Sequence, residues 1–362
     1  MNSDFRVPLP EEIRKLQPYI PGKPIEEVER ELGITGVTKL ASNENPLGPS
    51  PLVLKTLTDT FRHIHRDPDG SAFRLKKSIS SFLGTPEDRL ILGNGSNELL
   101  VLLAESVVRP GDEVLYARPS FVVYPLVTQL LRGIPKVIPL RDDTHDLDAF
   151  TAALSPRTRL VFVCNPNNPT GTIVPISAIA SFMEKVSPET LVVLDEAYYE
   201  YVDAPAYFES LKLQERYPNL AVLRTFSKAF GLAGLRMGYG VVHPVLVDAV
   251  QRARQPFNIN MLALAAAEAA LADIPHMRKV VELNRRMRAR LEEGLAKLGV
   301  RLVPSHANFV YFHVPGAFHV YEALLSRGVI VRPMGDAALR VTTGTEEETE
   351  RFLRTFEEVM GK

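Results

Sequence analysis

The 362-residue chain is predicted to adopt an α/β fold: a large domain with a mostly parallel seven-stranded sheet covered by helices, then a smaller α+β domain. Three observations predict this. From about Leu90, short apolar runs alternate with stretches of helical spacing, the pattern of strands joined by helical crossovers. Most of those runs lack polar alternation, as expected where helices cover both faces of a sheet. A long amphipathic segment then leads into a shorter strand and helix pattern.

In chain order, residues 1–40, with Pro18-Tyr19-Ile20-Pro21, read as an irregular arm packing with the small domain. The large domain is expected over 41–255, with strands at 90–92, 114–117, 136–140, 160–164, 191–194, 220–224 and 237–242. Helices are expected at 98–108, 121–131 and 176–186, with Pro or Gly at most junctions. Residues 256–362 form the linking helix and small C-terminal domain. In it, Val280, Leu283, Met287, Leu291, Leu295 and Leu298 make one helical stripe. Strands at 308–313, 329–331 and 339–342 and helices at 320–326 and 347–359 complete it.

Bulk properties narrow the partners. Lys+Arg 42 against Asp+Glu 43 gives a net charge of -1, with no global signature of nucleic-acid or anionic-membrane binding. A small-molecule partner is expected. The single cysteine, Cys164, lies in an apolar run and reads as a core thiol; it cannot form an intrachain disulfide. Charges and prolines fill Met1 to Pro10 where a signal peptide needs an apolar core, and no run of 18 apolar residues occurs, so a soluble cytoplasmic protein is expected.

The residues that suggest chemistry fall at predicted strand ends. Asp195 closes an apolar run, which delivers a carboxylate to the sheet edge where doubly wound folds bind ligands. A cation such as a pyridinium would compensate its burial there. Tyr198 follows closely, and the turn Asn165-Pro166-Asn167-Asn168-Pro169 can aim Asn168 at the same edge. Gly93-Asn94-Gly95-Ser96-Asn97-Glu98 opens a helix whose free N–H groups could hold a phosphate, although Ser96 could equally serve as a plain helix cap. Glu98 at the sixth position rules out a dinucleotide fingerprint. Lys228, in Thr225-Phe226-Ser227-Lys228 and before Gly234-Leu235-Arg236, is a candidate carbonyl-trapping amine, which suggests a Schiff base with pyridoxal phosphate (PLP).

In this order and spacing, Gly95-Ser96-Asn97, Asn168, Asp195, Tyr198, Lys228 and Arg236 resemble the fold-type I PLP-dependent aminotransferases, whose fold is aspartate aminotransferase-like. More narrowly, Ser227 to Arg236, the opening Ala41-Ser42-Asn43-Glu44-Asn45-Pro46 and the closing Val331-Arg332-Pro333 with Leu339-Arg340-Val341-Thr342 resemble the histidinol-phosphate aminotransferase family. The resemblance implies transamination between histidinol phosphate and 2-oxoglutarate, in histidine biosynthesis, by a homodimer with shared active sites. It implies that Lys228 anchors PLP and moves the proton, that Asp195 pairs with the pyridine nitrogen, and that Asn168 and Tyr198 bond the ring oxygen. Phe121 falls where the family stacks a tyrosine on the ring, and Gly95, Ser96, Asn97, Thr225, Ser227 and Arg236 would hold the phosphate. Tyr19, Asn43, Asn168, Arg332 and Arg340 are implied for the substrate, whose phosphate or carboxylate suits paired guanidiniums.

One position departs from the family. Where relatives commonly read Arg-Tyr-Pro-Asp, with a tyrosine that reaches a neighbouring subunit's PLP phosphate, this chain has Arg66-Asp67-Pro68-Asp69. An ionised Asp67 cannot donate to that phosphate and is expected to weaken PLP retention. His63 and His65 with Asp67 and Asp69 occupy a polar turn with no distant partner ligand, so no metal site is expected. Aromatic amino acid transamination is the alternative reading, with threonine-phosphate decarboxylation and a non-catalytic PLP-fold sensor behind it.

Overall fold

The computed structural model describes residues 7–361 apart from positions 21 and 208. In chain order the strands are β1 (Thr38–Lys39), β2 (Leu90–Gly93), β3 (Glu113–Arg118), β4 (Ile134–Pro139), β5 (Thr158–Cys164), β6 (Leu191–Asp195), β7 (Leu220–Thr225), β8 (Gly238–Val241), β9 (Arg301–Val303), β10 (Phe309–His313), β11 (Val329–Ile330), β12 (Arg332–Pro333) and β13 (Ala338–Thr342). Seven of them form one sheet in the order β2-β8-β7-β6-β5-β3-β4. β8 is antiparallel to both neighbours, and the remaining pairs are parallel.

The unbroken apolar runs follow from this burial. Leu160, Phe162, Leu191, Val193, Ala221 and Leu223 pack with helix Ser96–Val107 on one face. The alternate residues Val161, Val163, Val192, Leu194, Leu220 and Val222 pack with helix Ile176–Met183 on the other. Successive side chains point to opposite faces, so two covered faces demand an apolar residue at every step. Each full burial contributes about 1.5–3 kcal/mol. At the open edge the demand relaxes: β4 exposes Ile134 and Val137, carries two prolines and pairs Lys136 with Glu113 at 3.4 Å. It starts two residues earlier and ends one residue earlier than expected from the sequence.

β12, β13, β10 and β9 form an antiparallel sheet covered by helices Ala317–Leu325 and Glu346–Val359 and by the 24-residue helix Ile274–Lys297. Thr345 and Glu348 start the last helix as a reciprocal capping box. Two expectations need correction. The strand expected at 329–331 is shorter and leaves that sheet: β11 pairs in parallel with β1, Thr38 opposite Val329. The segment expected to be an irregular arm contains helices Glu11–Lys15 and Ile25–Leu32 as well as β1. Residues 1–6 and position 21 of that segment lie outside the described residues. The second helix packs Val28 with Ile330 of β11. The first lies instead against helix Val123–Leu130 beside the large sheet, where Gln129 donates to the Glu12 carbonyl at 2.8 Å and Arg132 pairs with Glu12.

Parallel order sets the carboxyl ends of β5, β6 and β7 side by side, with β2 delivering the N-terminus of Ser96–Val107 nearby. Such an edge is the ligand-binding edge of open α/β sheets.

Candidate active site

A cavity of about 210 Å³ opens at that edge. Its walls carry Tyr19, Asn43, Ser96, Asn97, Phe121, Asn168, Asp195, Tyr198, Thr225, Ser227, Lys228, Arg236, Arg332 and Arg340. Every residue the sequence offers for cofactor or substrate is therefore brought to one place, except Gly95, which stands behind the wall as the helix cap; the turn that carries His63, His65, Asp67 and Asp69 lies elsewhere. Asp67 is exposed on its turn and does not line this cavity.

β6 ends on Asp195, which is buried. Its Oδ2 accepts from the Tyr124 hydroxyl at 2.9 Å and its Oδ1 from the Ala197 N–H at 3.2 Å. Burial pushes its carboxyl up to about 6, while the Tyr124 bond pulls the other way. A carboxylate held this way has unmet affinity for a cation. Lys228, just after β7, is half-buried and donates to the carbonyls of Ser42 at 3.3 Å and Asn43 at 3.2 Å. Burial, reinforced by Arg340 and Arg236, brings its amine down to about 8. About a tenth of it is thus neutral and nucleophilic at pH 7, far more than for an ordinary lysine.

Asn43 ties the cavity floor together. It adopts φ 55°, its side chain donates to the Tyr198 hydroxyl at 2.8 Å, and its N–H donates to Thr342 Oγ1 at 2.9 Å. Asn308 donates to its carbonyl at 3.1 Å. Burial pushes the Tyr198 hydroxyl up to about 12, so it stays protonated and able to donate.

Opposite Asp195, the helix Ser96–Val107 begins without a side-chain cap. The cap position is Gly95, not Ser96, so the first N–H groups remain free for an anion. Gly95 has φ +79°, and a Cβ there would come within 2.8 Å of Arg236 Nη2. Arg236 itself sits at φ 62°, a strained backbone for arginine. Thr225, Ser227, Arg236 and these N–H groups form a cradle for a phosphate. PLP fits the whole arrangement: the cradle matches its phosphate, Asp195 its ring nitrogen, Phe121 its ring face and Lys228 its aldehyde.

The far wall is cationic. Arg332 and Arg340 are register partners on β12 and β13. Buried Arg340 donates to Asn168 Oδ1 at 2.6 Å and to the Ala41 carbonyl at 2.7 Å, while its Nε has no partner among the described residues. Arg332 donates to the Ile20 carbonyl at 2.9 Å and lies 5.6 Å from the Tyr19 ring centre. Cys164 is buried at the cavity wall, and burial pushes its thiol up to about 12, which suits a core thiol. In the polar turn, Asp69 bonds the N–H groups of Ser71 and Phe73 and the Ser71 hydroxyl.

Sequence reasoning missed Tyr124 and the backbone of Ser42. Tyr124, three residues beyond Phe121 in the first turn of helix Val123–Leu130, stacks on Phe162 with ring centres 4.5 Å apart, so its sequence context reads as plain core.

Comparison with known proteins agrees with this geometry. Residues 35–356 match the model of the family described as aminotransferase class I and II. The histidinol-phosphate aminotransferase of Moorella thermoacetica is 47% identical over 356 residues, covering 97% of this chain and 92% of that protein. That of an Anaeromyxobacter strain is 48% identical over 360 residues, covering 98% and 99%. The crystal structure of histidinol-phosphate aminotransferase from Sinorhizobium meliloti in complex with pyridoxal-5'-phosphate superimposes with a TM-score of 0.92 at 28% identity, covering 100% of this chain and 98% of that one.

Proposed function

The chain belongs to the class I and II aminotransferases, and from that premise we propose that it transfers the amino group of L-histidinol phosphate to 2-oxoglutarate, yielding imidazole acetol phosphate and glutamate, in histidine biosynthesis. It is a PLP-dependent enzyme. Bound PLP supplies the electron sink that stabilises negative charge on the substrate carbon. The chain's own residues do the rest. Lys228 would hold the cofactor's aldehyde and supply, at its Nζ, the amine that takes up and returns the proton. Asp195 would keep the ring nitrogen protonated, and Asn168 and Tyr198 would donate to the ring oxygen. Ser96, Asn97, Thr225, Ser227 and Arg236 would fix the phosphate, and Phe121 would cover the ring.

The observation that carries the substrate assignment is the ladder pairing of Arg332 with Arg340 over one cavity. Two guanidiniums on adjacent strands suit a substrate phosphate, and in the second half-reaction a carboxylate of glutamate or 2-oxoglutarate. Tyr19 and Asn43 complete that side. The PLP-loaded protein is expected to turn over histidinol phosphate with 2-oxoglutarate well above phenylalanine, and Lys228→Ala to abolish turnover. Preference for phenylalanine would replace the substrate assignment with an aromatic one.

The parallel sheet within 41–255 supports assigning that span to the large domain, with 256–362 as linking helix and small domain and 1–40 as the arm. We also assign a homodimer, supported by exposed Leu54, Phe61, Ile64, Phe73 and Phe257 on and around helices Pro51–Thr60 and Phe73–Leu83. Light scattering on the purified protein tests that state. Among the described residues no helix is long and apolar enough to cross a membrane, which accords with a cytoplasmic location.

A further inference from the structure

Behind the cavity, out of contact with it, lies a buried ion pair between Glu196, the residue after Asp195, and Arg224, the residue before Thr225. Arg224 Nε donates to Glu196 Oε2 at 2.9 Å, and the two side chains are 5% and 0% exposed. Ser210 donates to the same oxygen at 3.0 Å, and Tyr207 donates to Oε1 at 3.0 Å. The Tyr207 hydroxyl shares its single proton between that oxygen and the carbonyl of Asn165, the first residue after β5. Arg224 stacks on Tyr199, its guanidinium carbon 3.3 Å from the ring centre. Glu200 and Tyr239 face the same guanidinium.

Stability alone is a poor reason for such a pair. Taking two charges out of water costs several kcal/mol per ion, and apolar residues of similar volume often serve as well or better. What an ion pair offers that apolar packing does not is direction. This one is anchored on the ends of β6 and β7 and, through Tyr207, on the end of β5. Those three ends carry Asp195, Lys228 and Asn168. A misplacement of about 1 Å among such groups can cost on the order of a hundredfold in rate.

We propose that Glu196 and Arg224 are positioning residues for transamination: their pair, with Tyr207, bolts the three strand ends so that Asp195, Lys228 and Asn168 hold their mutual geometry. The proposal rests on the PLP-dependent reading above. Its test is the apolar double variant Glu196→Leu/Arg224→Met, read by four measurements. These are the thermal midpoint of the apoprotein, the dissociation constant for PLP, the pH midpoint of the Lys228 amine in the apoprotein followed by its acylation rate, and kcat against KM. The expected result is a thermal midpoint near that of the parent, PLP binding at least about tenfold weaker, a Lys228 midpoint displaced from about 8, and kcat at least about tenfold lower at little-changed KM. Parent-like PLP affinity, lysine midpoint and kcat in the folded double variant overturn the proposal. So does a lowered thermal midpoint with parent-like values in the fraction that remains folded, since that is a purely structural role. If the double variant does not fold, Arg224→Lys decides: it keeps the charge and loses the directed Nε bond, so parent-like values there overturn the proposal and the same losses support it. Should the parent protein bind PLP but not act on histidinol phosphate, the substrate reading fails, while the PLP affinity and lysine midpoint still judge the bolt.

Discussion

Removing one hydroxyl, in Tyr124→Phe, should change the pH dependence of cofactor binding without altering the cavity's shape. Tyr124 is fully buried, its ring is held by Phe162, and its hydroxyl donates to Asp195 Oδ2 at 2.9 Å. A hydrogen bond to an ionised group contributes about 1.5–3 kcal/mol. At 1.36 kcal/mol per pKa unit, losing it raises a carboxyl by about 1 to 2 units. Asp195, already pushed up to about 6 by burial, would then titrate at about 7 to 8. At pH 7 its ionised fraction falls from roughly nine-tenths to between one-half and one-tenth. If PLP binds to the ionised form, its dissociation constant rises roughly two- to ninefold at pH 7, and the difference closes by pH 9. The chain has no tryptophan, so the measurement is apoprotein titration followed by the absorbance of PLP itself. Equal affinities at pH 7 would refute the reasoning. A deficit that persists unchanged at pH 9 would also refute it, because lost packing does not titrate.

Other expectations follow from the same geometry. His145 is buried, donates to the Cys164 carbonyl, and burial lowers its pKa to about 4 from an ordinary value of 6.5. The unfolded chain therefore binds its proton first, so stability is complete above about pH 6.5 and drops by up to about 3 kcal/mol as pH falls toward 4. His145→Phe should flatten that slope in denaturant titrations. Gly95→Ala places a methyl against Arg236 and forces alanine to φ +79°, so PLP affinity should fall at least about tenfold in equilibrium dialysis while phosphate-free pyridoxal is little affected. Asp67→Tyr should tighten PLP binding if a dimer brings this turn to the neighbouring phosphate, and an unchanged dissociation constant would remove Asp67 from the site. Arg332→Gln should raise KM for histidinol phosphate and for 2-oxoglutarate while leaving PLP binding unchanged, whereas Arg340→Gln should raise KM and weaken PLP binding together, because Arg340 also holds Asn168 at 2.6 Å.

The central sheet was legible because burial on both faces leaves a mark at every residue, as in Leu160 to Cys164 and Leu191 to Leu194. Asp195 and Lys228 were legible because a charge at the end of such a run has few structural uses. The arm was not, although Pro24 before Ile25–Leu32 and Gly33 at φ 65° after it are ordinary start and stop signals. β11 was misassigned because its partner, β1, lies far away in sequence, and no local pattern announces a parallel pair of two residues. Tyr124 was hidden for a different reason: an amphipathic ring in an apolar helix reads as core until the fold shows what its hydroxyl meets.

Arg224 shows where the sequence held a usable signal that periodicity does not capture. It lies inside Leu220–Thr225, a strand otherwise free of charged residues, and a fully buried guanidinium requires an anion within reach. On a neighbouring parallel strand, the acid directly after Asp195 is the natural candidate, and Glu196 is that acid. A lone charge at a strand end thus marks the site, and a second charge one residue away marks its support. Asp195 faces the cavity and pairs with no cation among the described residues, whereas Glu196 faces inward and pairs with one. Adjacent carboxylates on opposite faces of one strand end divide the work: one is kept available for a ligand, and the other is spent on holding the strand in place.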